Sequence, residues 1–212
     1  WRIHQHNDFH VGSHILRDSP GLISVEVKSP SMHAEDDAVM TVARLMALSA
    51  RTAPKGKGKD SLMCVIAGPG DLAPLAEEME RLSKSLGLSI FSRDAGNVSA
   101  SRACLLIGVR GQEPVGINCQ GCGFLSCDEM VEATGKGGGT APFRGPNCIV
   151  KVSDLGIAVG SAVKTASIHN VDNRVMYTAG AAALSLGWLP ACTIAYGIPL
   201  SASGKNIYFD RQ

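Results

Sequence analysis

The chain has 212 residues, 45% of them apolar and 18% charged, and its 20 Lys and Arg against 19 Asp and Glu leave a formal charge of +1. That apolar content excludes disorder, collagen and coiled coil, and the near-neutral balance carries no footprint of a nucleic-acid or anionic-membrane binder. The longest apolar runs, such as residues 103–109, fall far short of the about 20 residues that span a bilayer.

Residues 1–28 carry His4, His6, His10 and His14 in a polar stretch without periodicity. They read as an N-terminal extension, with a metal-binding tract as the alternative. The folded body is expected to start near Ser29, and Ser31 is a candidate N-cap with Glu35, Asp36 and Asp37 at the positive end of the helix dipole. Val39, Val42, Ala43 and Met46 fall at i, i+3, i+4 and i+7, which predicts a helix to about Ala50. A basic, glycine-punctuated loop follows, with Arg51, Lys55, Lys57 and Lys59.

The run 62–67 predicts a buried strand. Asp71 is a candidate cap for a second helix, whose apolar stripe is Leu72, Leu75, Ala76, Met79, Leu82 and Leu86. A short strand is expected at 88–91 and a fully apolar one at 103–109. Residues 117–149 interrupt the pattern with cysteines and glycines. Two further helices, at 154–167 and 171–186, and a last strand at 191–198 are expected. This alternation predicts an α/β (α+β) layered helix–sheet domain over 29–212, with 117–149 as an insert. The Ala- and Gly-rich stretch 156–187 suits close helix contacts, so a homo-oligomer, a dimer or larger, is expected.

The cysteine count is seven, and an odd number argues against a closed disulfide framework. No secretory leader pattern opens the chain, so a cytoplasmic setting is expected, where clustered cysteines bind metal or do redox chemistry. Cys64, Cys104 and Cys192 sit in apolar runs and read as core residues. Cys119, Cys122, Cys127 and Cys148 are different: their spacing is C-x2-C-x4-C-x20-C. Soft thiolates select zinc, copper(I) or iron–sulfur clusters. Structural zinc commonly uses two C-x2-C knuckles, and one stands here. Three close ligands and one remote ligand suit a 4Fe–4S cubane, with a zinc-stabilised structural module as the alternative. Gly121 and Gly123 let the backbone curl around such a group, and Asn118 and Ser126 are candidate hydrogen-bonding tuners. The run 135–140 is a superficial echo of a phosphate loop, His33 and His169 lack a triad arrangement, and His169 with Asp172 is a further candidate for proton donation.

The stretch Asn118 to Cys127 resembles the C-G-x-C-G-x-x-x-C pattern of small iron–sulfur domains in anaerobic electron-transfer proteins, with Gln120 where that pattern has Gly. More widely, residues from about 29 to 211 resemble a prokaryotic family described as ferredoxin-domain-containing proteins. The segments that carry this are 48–58, 106–109, the cysteine loop, 197–201 and 209–211. The resemblance implies a cluster and no particular reaction; electron transfer with a redox partner protein is the role expected of a cluster working alone. A second resemblance concerns flavin. Residues 50–54 are similar to the R-x-A-P-S segment of nitroreductase-like flavoproteins, and 183–188 and 196–199 to their C-terminal stretches, while their N-terminal R-R-S-x-R segment has no counterpart. This implies a nitroreductase-like fold and FMN, whose phosphate Arg51, Lys55 and Lys57 would hold, with Lys205 and Arg211 approaching from another subunit. On that alternative the protein is a flavin-dependent reductase in which a cluster feeds FMN.

Overall fold

The structure is a computed structural model that describes residues 34–136 and 142–209. The expected extension with its histidines, the Ser31 cap, His33, most of the 135–140 glycine run and Arg211 lie outside the described residues.

The element order is α1 (Ala34–Thr52), β1 (Leu62–Ala67), α2 (Leu72–Leu86), α3 (Ser89–Ser99), β2 (Ala103–Val109), α4 (Cys127–Glu132), α5 (Ile149–Ile168), β3 (Asp172–Asn173), α6 (Tyr177–Ser185) and β4 (Ile194–Ser201). The strands form one antiparallel sheet in the order β1-β2-β4-β3. The expected layered α+β class is what the chain adopts.

Strand alternation splits the core in two. Leu105 and Ile107 of β2, with Leu62 of β1 and Ile198 and Leu200 of β4, face α1 and α5. Cys104, Leu106 and Ala195 face α2, α3 and α6. Successive side chains point to opposite faces, so a strand covered by helices on both sides is apolar throughout. All seven residues of β2 are buried for this reason.

The small residues of α6 serve the chain's own packing. A Cβ on Gly180 would lie 2.1 Å from the Ala195 carbonyl oxygen, and one on Gly197 would lie 2.6 Å from the Ala179 Cβ. Helix and sheet backbones therefore meet without intervening side chains.

Several expected elements shift. Residues 88–91 are not a strand: Ser89 opens α3, which buries Phe91, Ala95 and Val98 at helical spacing. Gly87, at φ +67, ends α2 one residue before that turn. The helix expected at 171–186 starts only at Tyr177, because Asp172 and Asn173 pair with Ser201 and Leu200 and Met176 bridges to Gly197. The last strand runs Ile194–Ser201, with Cys192 in the turn before it. α5 begins five residues before the expected position, directly after Cys148. Asp71 flanks α2, but its carboxylate accepts the Gly68 amide at 2.9 Å and not an amide of the helix.

Candidate metal centre

The three-cysteine loop lies between β2 and α4. Its backbone turns through the left-handed region at Asn118 (φ 48), Gln120 (φ 60) and Gly123 (φ 86). The Gly123 amide closes a turn on the Gln120 carbonyl at 2.9 Å. Asn118 Oδ1 accepts the Cys127 amide at 2.9 Å and ties the start of the loop to its end. Ser126 caps α4 by accepting the Glu129 amide at 3.1 Å, while Glu129 Oε2 accepts the Leu125 amide at 3.0 Å. This follows the Ser-x-x-Glu capping logic, and it fixes Cys127 as the first residue of a helix.

The fourth cysteine arrives from another element. Cys148 is the residue that opens α5, and its amide donates to the Gly111 carbonyl at 2.8 Å. It is buried with Val115 and Met130, and Cys122, Phe124 and Val150 pack on the same cluster. The loop closes on α5 at a second point. A Cβ on Gly121 would lie 2.8 Å from Ile149 Cγ2 and 3.7 Å from Cys119 Sγ. Cys119 is exposed, Cys122 and Cys127 are half-buried, and all of these thiols are free.

Among the described residues, no three His, Cys, Asp or Glu side chains converge as ligands of one metal ion. The donor set itself is all thiol and gathered from two adjoining segments. A multi-iron group carries its ligands at separate corners; Cys122 and Cys148 share the apolar pocket, Cys119 and Cys127 stand on the adjoining loop, and soft thiol donors of this kind fit its chemistry.

The basic loop abuts this pocket. Lys59 Nζ reaches the Val115 carbonyl at 3.5 Å, and a Cβ on Gly56 would lie 2.4 Å from Val150 Cγ1. Two charged residues that the sequence reading did not single out hold the loop. Asp154 Oδ1 accepts the Gly56 amide at 2.9 Å, and Lys151 Nζ donates to the Lys59 carbonyl. Their charges sit in an otherwise apolar helix face, and that was the available signal.

The residues expected to hold a phosphate are placed as follows. Arg51 donates to Asp60 at 2.6 Å and to the Leu62 carbonyl at 3.0 Å. Burial would raise the Asp60 carboxyl, but the Leu62 amide and the Arg51 guanidinium outweigh it and hold the group below its ordinary value. Lys55 folds back on the Arg51 and Ala53 carbonyls at the end of α1. Lys57 is exposed at φ 54. Lys205 is exposed in the segment after β4. Asp172, paired in the sequence reading with His169, accepts from Asn206 at 2.9 Å.

Of the remaining cysteines, Cys104 and Cys192 are buried in the core, while Cys64 on β1 is half-buried at its edge. Burial pushes the Cys104 thiol up to about 12 and the Cys192 thiol up to about 11. Both stay protonated at neutral pH, which disfavours ligation and nucleophilic attack.

A family model described as an uncharacterized protein containing a ferredoxin domain matches residues 144–211, a stretch that includes Cys148. An uncharacterized protein of Archaeoglobus fulgidus is 46% identical over 177 residues, covering 84% of this chain and 94% of that protein. Among solved structures, the nitroreductase CinD from Lactococcus lactis, in complex with nicotinic acid, is similar with a TM-score of 0.52 at 11% identity, covering 81% of this chain and 84% of that one. A Desulfovibrio desulfuricans protein described as a nitroreductase in complex with FMN gives 0.49 at 14% identity, covering 81% and 78%. The likeness to the Lactococcus enzyme shows a nitroreductase-type fold. By the matched C-terminal segment and the identity to the Archaeoglobus protein, the chain belongs to the family of proteins containing a ferredoxin domain.

Proposed function

We propose that this protein transfers electrons through a 4Fe–4S cluster held by Cys119, Cys122, Cys127 and Cys148. One observation carries the reading: Cys122 of the loop and Cys148 at the start of α5 pack on the same small apolar cluster, so sequence-distant thiols share one pocket. When bound, such a cluster supplies one-electron chemistry. The chain's own contribution is to gather thiolates and exclude water with Val115, Phe124, Met130 and Val150. Cys119 is the exposed thiol of the set, so the electron path to a redox partner protein runs by its side of the pocket. Anaerobic purification with iron, sulfide and visible-spectrum analysis tests this. A colourless, zinc-loaded protein would favour the structural-module alternative.

A second reading is favoured by one placement. The loop bearing Lys55, Lys57 and Lys59 adjoins the cysteine pocket within a nitroreductase-type fold. On this reading FMN binds with its phosphate near Lys57, Lys205 and the Arg51–Lys55 end of α1, and the cluster feeds the flavin. Titrating cluster-loaded protein with FMN and following flavin fluorescence tests it. No quenching at about 100 μM, above the micromolar range where useful affinities begin, leaves the cluster alone.

The homo-oligomer reading is supported by exposed Leu45 and Leu48 on α1 and Ile157 and Ile168 on α5. Light scattering under reducing conditions that returned the monomer mass of 22.2 kDa would count against it.

A further inference from the structure

We infer that Lys151 and Asp154 form a buried charge pair that both seats the basic 56–59 turn and biases the potential of the cysteine pocket; its second half rests on the cluster reading above. The two residues are 2% and 3% exposed, in the first two turns of α5 after Cys148. Lys151 Nζ stands 3.9 Å from Asp154 Oδ2. Each residue also grips the turn: Asp154 Oδ1 takes the Gly56 amide at 2.9 Å, and Lys151 donates to the Lys59 carbonyl. Asp154 Oδ2 is buried and makes no hydrogen bond.

Stability does not explain this arrangement. Burying two charges costs several kcal/mol per ion, and apolar residues of similar volume are often as good or better. A pair separated by 3.9 Å with an oxygen left over recovers less of that cost than a close, fully bonded pair. Its position supplies the reason. Lys151 lies in the first turn of α5, which Cys148 precedes, and a Cβ on Gly56 would lie 3.6 Å from Val115 Cγ1 and 3.8 Å from Asp154 Oδ1. The turn that the pair holds touches the same pocket, through Lys59 at the Val115 carbonyl and Gly56 at Val150. Val115 and Val150 both pack with Cys148. A buried cation beside that pocket favours the more negative, reduced state of whatever the thiols hold, and a buried anion opposes it. Reduction adds one electron from an external donor and moves no proton or bond in the chain.

Lys151 and Asp154 are thus positioning residues whose charges act in opposite directions. That opposition separates the account from simple loss of structure. The test uses the full chain, reconstituted anaerobically with iron and sulfide. Lys151→Met, Asp154→Asn and the double variant are compared with the parent after iron content is measured. The midpoint should shift down in Lys151→Met and up in Asp154→Asn, and the double variant should fall between them. Shifts of the same sign, or no shift in fully loaded variants, would overturn the charge role. A metal-free readout judges the clamp separately. Trypsin should cut at Lys55, Lys57 and Lys59 several-fold faster in Asp154→Ala, which leaves the Gly56 amide without its acceptor, than in the parent chain, and equal rates would overturn the clamp. If the parent chain takes up no iron, the cluster reading and the charge role fall together, while the trypsin result still decides the clamp.

Discussion

Asn118 Oδ1 accepts the backbone amide of Cys127 at 2.9 Å, so one side chain closes the loop that carries three of the candidate ligands. Asn118 also sits at φ 48, a left-handed conformation that Asn tolerates better than most residues. Asn118→Ala removes both supports, and the left-handed backbone alone costs Ala about 1–2 kcal/mol. The variant should bind less iron and lose it faster on dilution into chelator. Gln120, at φ 60, stands where glycine would be unstrained. Gln120→Gly should therefore keep its iron at least as well as the parent, and a loss equal to that of Asn118→Ala would contradict this account of the loop.

The cysteines should separate by reactivity. Cys104 and Cys192 are buried, with thiols pushed up to about 12 and about 11. Metal-free native protein treated with iodoacetamide at about pH 8 should modify exposed Cys119 first and leave Cys104 and Cys192 intact until the chain is unfolded. Mass spectrometry of the peptides reads this out. Early labelling of Cys104 would place it outside the core.

Asp60 makes part of the stability depend on acid. Burial opposes its ionisation, yet the Leu62 amide and Arg51 hold its carboxyl below the ordinary 3.8. A depressed carboxyl contributes stability above its unfolded value and loses it as the pH falls toward its folded value. Asp60→Asn should thus lower stability at neutral pH and show a shallower decline below about pH 4 than the parent. Urea midpoints measured across pH check the sign. A variant whose stability falls just as steeply in acid would remove Asp60 from the account.

Gly180 is where helix α6 presses on β4. A Cβ there would stand 2.1 Å from the Ala195 carbonyl oxygen, and backbone on both sides leaves little room to give. Gly180→Ala should cost at least about 2 kcal/mol by overpacking. In a chain of this size that lowers the thermal midpoint by at least about 4 °C. Gly156→Ala, where nothing lies within 4 Å and the helix gains propensity, is the matched control and should hold or raise the midpoint.

Much of this fold was legible because burial imprints a period. The stripe Leu72, Leu75, Ala76, Met79, Leu82 located α2, and the unbroken run Ala103–Val109 located the central strand. Residues 88–91 misled because their apolar cluster is too short to show a period: Phe91 belongs with Ala95 and Val98, across polar Ser92, Arg93 and Asn97. The start of α6 was hidden because Asp172, Asn173 and Met176 owe their conformation to β4, far along the chain. The candidate metal centre is legible as a spacing of cysteines. The clamp from Lys151 and Asp154 is not, because their partners are the backbone of Gly56 and Lys59, and an amide or a carbonyl leaves no mark on a sequence.

The central claim is that Cys119, Cys122, Cys127 and Cys148 hold a single cluster. Its most direct test is iron and sulfide analysis with electron paramagnetic resonance on anaerobically reconstituted parent chain and Cys148→Ala. The parent should hold about four of each per chain and give a reduced-cluster signal, and Cys148→Ala should retain at most a three-iron species. Parent-like iron content and signal in Cys148→Ala, or a parent chain that binds less than about one iron, would contradict it.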